Sequence, residues 1–190
     1  MTVLITGLLL FTLVHLYPSL FVTNRDKLVE RLGRNAYRGL FSVVILAALV
    51  LIVVGWRAST PEAVYAPPFA GGPVTAIVVF ASFVLFVAAQ TPGNIKRYVR
   101  HPQMLAVVLW SLAHLLVNGD SRSVMLFGGL GAWAILEILL CNRRDGDWQK
   151  PEQSSLKWDA ITVAAGAAGF VLFVFLHRTL FGVPVVPQLS

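Results

Sequence analysis

Six stretches of mostly apolar residues, separated by polar links, run along the chain: Thr2–Val22, Ala36–Trp56, Pro73–Gln90, Pro102–Val117, Ser123–Cys141 and Trp158–Phe181. A bilayer core about 30 Å thick takes a helix of about 20 such residues. The pattern predicts an all-α integral membrane bundle of about six transmembrane helices, built as a single domain over residues 1–190. The fourth stretch is short and carries the most polar side chains. No internal repeat or low-complexity tract interrupts the series. The first stretch has neither a leading positive charge nor a small-residue cleavage pattern, so it is expected to be a retained helix and not a signal peptide. Two pairs of small residues at four-residue spacing, Gly128 with Ala132 and Ala165 with Gly169, are expected to mark helix contacts.

Composition sharpens this picture. Apolar types make up 57% of the chain and charged types 13%, against about 25% charged in soluble domains. Mean hydropathy is +0.75. A disordered chain is excluded, and a soluble domain is not expected. The formal net charge is +6, but the cations lie in short links and form no nucleic-acid patch. Arg25, Lys27, Arg31, Arg34 and Arg38 fall in one link, Lys96, Arg97 and Arg100 in another, and Arg143, Arg144, Lys150 and Lys157 in a third. Arg57, Arg122 and Arg178 lie on the opposite side. Positive residues favour the cytoplasmic face, so both termini are expected on the non-cytoplasmic side. The loop Arg57–Gly72, with three prolines, is expected to form an irregular outer cap. Trp56, Trp158, Tyr37 and Trp148 sit near interfaces, as an aromatic belt would. The single cysteine, Cys141, excludes a disulfide framework and a cysteine-only metal site.

Ionisable groups inside the apolar stretches are costly and are candidates for function. His15 lies in the first and His114 in the fourth. Pro18 follows His15 and frees the Val14 carbonyl; the structural reading of His15 is a bond to that carbonyl beside a kink. Trp110 lies one turn before His114, and Gln103 and Val107 continue the stripe. This stripe is either packed core or the wall of a flat cofactor pocket. Two neutral imidazoles on facing helices suit the iron of haem b, which also needs large apolar contacts. The depths differ by about 8 Å at 1.5 Å per residue, an offset that tilt can absorb. Zinc would need further ligands that this depth lacks. His177 reads as an interfacial side chain.

A second cluster lies at the cytoplasmic rim. Arg100-His101-Pro102 opens the fourth stretch, and Glu137 lies at comparable depth in the fifth. Arg100 and Glu137 are expected either to form a buried ion pair or to anchor a head group or cofactor. In Asn118-Gly119-Asp120, Gly119 suits a helix C-cap and Asp120 an N-cap for the next helix. Ser111 and His114 lack an acid and an oxyanion hole, and no Walker loop, GxGxxG or heptad pattern is present.

The run Arg100-His101-Pro102-Gln103-Met104-Leu105, followed by Leu109-Trp110-Ser111-Leu112-Ala113-His114-Leu115-Leu116 and Asn118-Gly119-Asp120, together with the early His15, resembles the NnrU family over most of the chain. That family is named from denitrification gene clusters and includes the 15-cis-ζ-carotene isomerases, which use haem b. The resemblance implies a multi-pass protein of the bacterial inner membrane. It also implies haem b as cofactor, with His15 and His114 as iron ligands, and a hydrophobic small molecule such as a carotenoid as partner beside the lipid bilayer. The implied roles are polyene isomerisation or a haem-dependent function linked to nitric oxide. The isomerases carry a Cys where this chain has Ser111, and serine is a poor iron ligand, so haem binding carries over better than isomerase activity. Filling both axial sites with histidine means that one must leave before other chemistry occurs at the iron. The rim also resembles membrane isoprenylcysteine and phospholipid methyltransferases, which bind S-adenosylmethionine; the counterparts are Arg100, His101, Pro102, Asn118 and Glu137. Met104 replaces the usual Tyr, and the paired-acid pattern is missing. A third reading is a non-catalytic membrane assembly or regulatory subunit.

Overall fold

The computed structural model describes residues 1–68 and 72–185. Seven helices follow one another: α1 (Thr2–Leu20), α2 (Val22–Leu32), α3 (Arg34–Ala58), α4 (Pro73–Ala88), α5 (Pro102–Leu115), α6 (Ser121–Asp145) and α7 (Leu156–Phe181). A short 3-10 turn, Asn94–Arg97, precedes α5, and a π-helical turn, Val124–Gly128, lies inside α6. Four of these helices, α1, α3, α6 and α7, are long and apolar enough to cross a membrane; α4 and α5 are apolar but shorter. Their apolar surface faces outward, with only 11% of the most apolar window of α7 buried within the protein. Lipid is the solvent that suits such a surface.

α1 and α3 form a close pair, α6 packs on α1 and α5, and α4 packs between α5 and α7. Small residues set the closest approaches. A Cβ at Gly7 would come 2.8 Å from the Ile52 backbone nitrogen, and one at Gly55 would strike the Leu4 backbone. On α7 the contact face is Thr162, Gly166 and Gly169, where a Cβ at Gly166 would lie 2.8 Å from Val84 Cα. This corrects two expectations. Ala165 is exposed and its neighbour Gly166 carries the contact, one position along the helix. Gly128 has nothing within 4 Å and Ala132 is exposed; Gly131 meets Ser111 instead, at 3.1 Å. The four-residue spacing was right for a helix face but did not select which face.

The link from Asn24 to Arg38 is not a plain connector. It forms the amphipathic α2 and the first turn of α3, joined at Gly33 with φ +80°. Only glycine adopts that φ at little cost. α1 runs on through Pro18 and ends at Phe21.

The loop after α3 caps the α5–α6 turn as expected. The Tyr65 hydroxyl donates to the Leu115 and Asn118 carbonyls, and the Val64 and Tyr65 amides donate to the Gly119 carbonyl. Residues 69–71 of that loop lie outside the described part. Gly119 is a close-approach glycine and not a left-handed cap: a Cβ there would strike the Tyr65 carbonyl. Asp120 does cap α6, accepting from the Ser123 amide at 3.1 Å and its hydroxyl at 2.6 Å. Trp56 is buried (6% exposed), donating to the Phe181 carbonyl beneath the Arg122 guanidinium.

Candidate functional site

His15 sits on α1 one turn above Ser19. Its Nδ1 lies 2.9 Å from the Phe11 carbonyl, one turn back along the helix. The Val14 carbonyl freed by Pro18 is not its partner. Since a carbonyl only accepts, Nδ1 carries the proton and Nε2 keeps its lone pair. The ring is held between Phe11 (centroids 4.1 Å), Trp133 (4.9 Å) and Phe41 (5.3 Å). His114 repeats the arrangement on α5. Its Nδ1 donates to the Trp110 carbonyl at 2.8 Å, and its ring stacks on Phe127 at 4.4 Å and meets Trp110 at 4.9 Å. Phe127 belongs to the π-helical turn; such turns re-aim side chains and recur at functional sites. Both histidines therefore present Nε2 as a ready ligand, with the opposite nitrogen held by a carbonyl that fixes tautomer and ring orientation.

The two rings belong to different parts of the core. His15 rests against Trp133 and His114 against Phe127, six residues apart on α6, which is about 9 Å of helical rise. This agrees with the offset expected from the sequence. Phe11 and Leu130 pack against the clusters on both sides of that gap. The α5 stripe spans the same distance: Trp110 lies with His114, Val107 packs on the Leu16–Trp133–Ala134 cluster, and Gln103 reaches the far end.

That far end is a cavity of about 450 Å³ at the basic end of the bundle. His15, Ser19, Trp133, Glu137 and Cys141 line its inner wall, and Lys96, Arg100, His101, Gln103 and Met104 line the other side. The structure thus gathers the rim residues Arg100, His101 and Glu137 in one cavity with His15 and Gln103, whereas His114, Trp110 and Val107 do not line it. The expected Arg100–Glu137 ion pair does not form. Arg100 donates to the Gly146 carbonyl at 2.7 Å, and His101 Nε2 is 2.9 Å from Asn142 Oδ1. Glu137, only 6% exposed, accepts from the Ser19 hydroxyl at 2.8 Å and the Cys141 thiol at 3.7 Å. The arginine is drawn away because the turn after α6 offers it a carbonyl nearer water, where its charge needs no desolvation.

Sequence reading missed Ser19, Lys96, Trp133 and Cys141. The signal was the helical spacing of known candidates: Ser19 is four beyond His15, while Trp133, Glu137 and Cys141 repeat every four residues. It also missed the clasp in which Asp159 accepts from the Asn94 amide at 2.7 Å and from its side chain at 2.6 Å, fixing the 3-10 turn to α7.

The two imidazoles fit an iron chemically, since each offers an oriented Nε2. Trp133 lines the cavity in a side chain 5% exposed, and its buried Nε1 has no hydrogen-bond partner among the described residues. Space already lies against His15, and Phe11 and Leu130 pack against the core clusters beside both histidines. No group of three or more His, Cys, Asp or Glu suited to a metal ion occurs among the described residues.

The fold and its lipid-facing surface define a helical membrane protein. Within that class the assignment is specific: a family model described as "NnrU protein" matches residues 3–185, and the chain belongs to the NnrU family. No curated protein and no solved structure matches it.

Proposed function

We propose that this NnrU-family protein is a haem b-binding protein of the bacterial inner membrane that crosses the bilayer six times with both termini on the non-cytoplasmic side. His15 and His114 are the iron ligands. The observation that carries the reading is the matched pair of imidazoles, each with Nδ1 held by the carbonyl one turn back and Nε2 left to coordinate. Haem, when bound, supplies an iron centre that can serve redox sensing, nitric oxide handling or isomerisation of a polyene such as a carotenoid. The chain's own residues orient the rings and exclude water: Phe11, Phe41 and Trp133 around His15, Trp110 and Phe127 around His114. Ser111 is 2% exposed, faces Gly131 and offers no thiolate; isomerase chemistry that exchanges an iron ligand for a cysteine is not expected here.

The test is an absorption spectrum of detergent-purified protein, oxidised and then dithionite-reduced. A Soret band with sharp reduced α and β bands is expected, lost in His15→Ala and in His114→Ala while both variants still insert. Normal haem content in both single variants would sink the assignment. One observation favours a second reading, a methyltransferase-like enzyme using S-adenosylmethionine: Arg100, His101 and Glu137 line one cavity. Binding of S-adenosylmethionine that is lost in Glu137→Gln, in a colourless protein, would establish it.

A further inference from the structure

A second cavity, about 840 Å³, lies between the end of α1, α2 and the start of α3; its wall residue Phe41 also packs on the His15 ring. Its walls change character along its length. Arg34 and Arg38, one turn apart on α3, and Arg25 on α2 line the charged end. Tyr37 follows, and Pro18, Val29 and Phe41 supply the apolar part, with Ser42 at the deep end. From Arg34 to Ser42 the α3 wall rises about 12 Å, from the polar surface towards the hydrocarbon. Two acids also face the groove: Asp26, paired with Arg25 at 2.8 Å, and Glu30.

Two further features point to an anionic occupant. The first turn of α3 carries Arg34 and no acid, and no side chain caps it. A cation at the positive end of a helix is electrostatically unfavourable, and a bound anion offsets both. α2 buries none of its residues against the protein. The N-cap Phe21 with Leu28 and Leu32 forms its exposed apolar side, Lys27 and Arg31 flank that side and Glu30 lies opposite, the pattern of a helix lying in a membrane interface.

We propose that this groove is a binding site for an anionic phospholipid of the leaflet at the basic end of the bundle. The phosphate lies at Arg34 and Arg38, the ester region beside Tyr37, and an acyl chain along Pro18, Phe41 and Ser42. With Arg25 paired to Asp26, the gradient from Arg34 and Arg38 to an apolar floor matches one amphiphile, and a soluble phosphate would leave the floor uncovered.

The experiment places the full chain in nanodiscs of phosphatidylglycerol and phosphatidylcholine and measures motional restriction of spin-labelled versions of each lipid. Phosphatidylglycerol is expected to be preferred by about fivefold or more, since each basic residue at a membrane surface contributes about that factor. Arg34→Gln/Arg38→Gln removes the preference; Lys27→Gln/Arg31→Gln, on the far side of α2, retains most of it. Equal restriction of both lipids in the parent protein overturns the proposal. Equal losses in the two double variants also overturn it, since a diffuse surface charge then explains the preference. Circular dichroism of each variant checks that the helices remain; if Arg34→Gln/Arg38→Gln fails to fold, inorganic phosphate at high concentration replaces it. Phosphate that competes as well as the lipid refutes a lipid site, and phosphate that competes poorly supports one.

Discussion

Glu137 is a buried carboxyl with no cationic partner among the described residues, and this makes a quantitative prediction. If Glu137 and Arg100 formed a buried ion pair, removing either would cost about 3–5 kcal/mol, because the other charge would be stranded. The geometry gives different numbers. Arg100 makes one described bond, to the Gly146 carbonyl, so Arg100→Gln is expected to cost about 0.5–1.5 kcal/mol. Ser19 gives Glu137 its one short hydrogen bond. Ser19→Ala is therefore expected to be the worse substitution, at about 1–3 kcal/mol, for leaving a buried acceptor unsatisfied. Glu137→Leu removes the charge and its desolvation together, and is expected to be neutral or stabilising. The four proteins would be unfolded in dodecyl maltoside with rising dodecyl sulfate and followed by tryptophan fluorescence. Losses of 3 kcal/mol or more in both Arg100→Gln and Glu137→Leu, non-additive in the double variant, would refute the reasoning and restore the ion pair.

Three other substitutions test the packing and the caps. Gly166→Val should cost about 1–3 kcal/mol by forcing α7 away from the Val84 backbone, while Ala165→Val at the exposed neighbour should lie within about 0.5 kcal/mol of the parent in the same assay. Tyr65→Phe should lose about 1 kcal/mol and speed amide exchange at Val64 and Tyr65, because the hydroxyl that ties the loop to the Leu115 and Asn118 carbonyls is gone. Asp159→Ala should expose residues 92–97 to protease, since Asn94 loses both contacts to that carboxylate.

The helices were legible because a chain in lipid must satisfy its backbone within each segment, so the apolar runs end close to where the helices do. Charge marked the ends but not their structure: the basic link hides α2, whose apolar residues Val22, Leu28, Val29 and Leu32 are too few and too interrupted by charge to read as a span. His15 and His114 could be singled out because imidazole is rare at that depth. Their shared tautomer could not, because it depends on ring rotation towards the Phe11 and Trp110 carbonyls. Equal depth for Arg100 and Glu137 followed from helix length. Their separation did not, because the Gly146 carbonyl that draws Arg100 away comes from a turn beyond α6.

α6 connects these observations. Its π-helical turn presents Phe127 to His114, and the following turns present Trp133 to His15 and then Glu137 to Ser19. One helix thus fixes both imidazoles and the carboxyl, so displacing it should disturb all three together. The space for a ligand is not shared so evenly. The 450 Å³ cavity is lined by His15 and not by His114, and Phe11 and Leu130 pack against the core clusters beside both histidines. If the protein binds haem as proposed, His15 is the imidazole reached from this cavity, and Phe11 and Leu130 are the side chains whose displacement would open a path on to His114. Leu130→Ala opens that path without touching either imidazole or its carbonyl. It should quicken the approach to the two-histidine spectrum when haem is added to colourless protein. A rate unchanged by Leu130→Ala but slowed by bulkier residues at Met104 would place the barrier at the mouth of the cavity and not in the core.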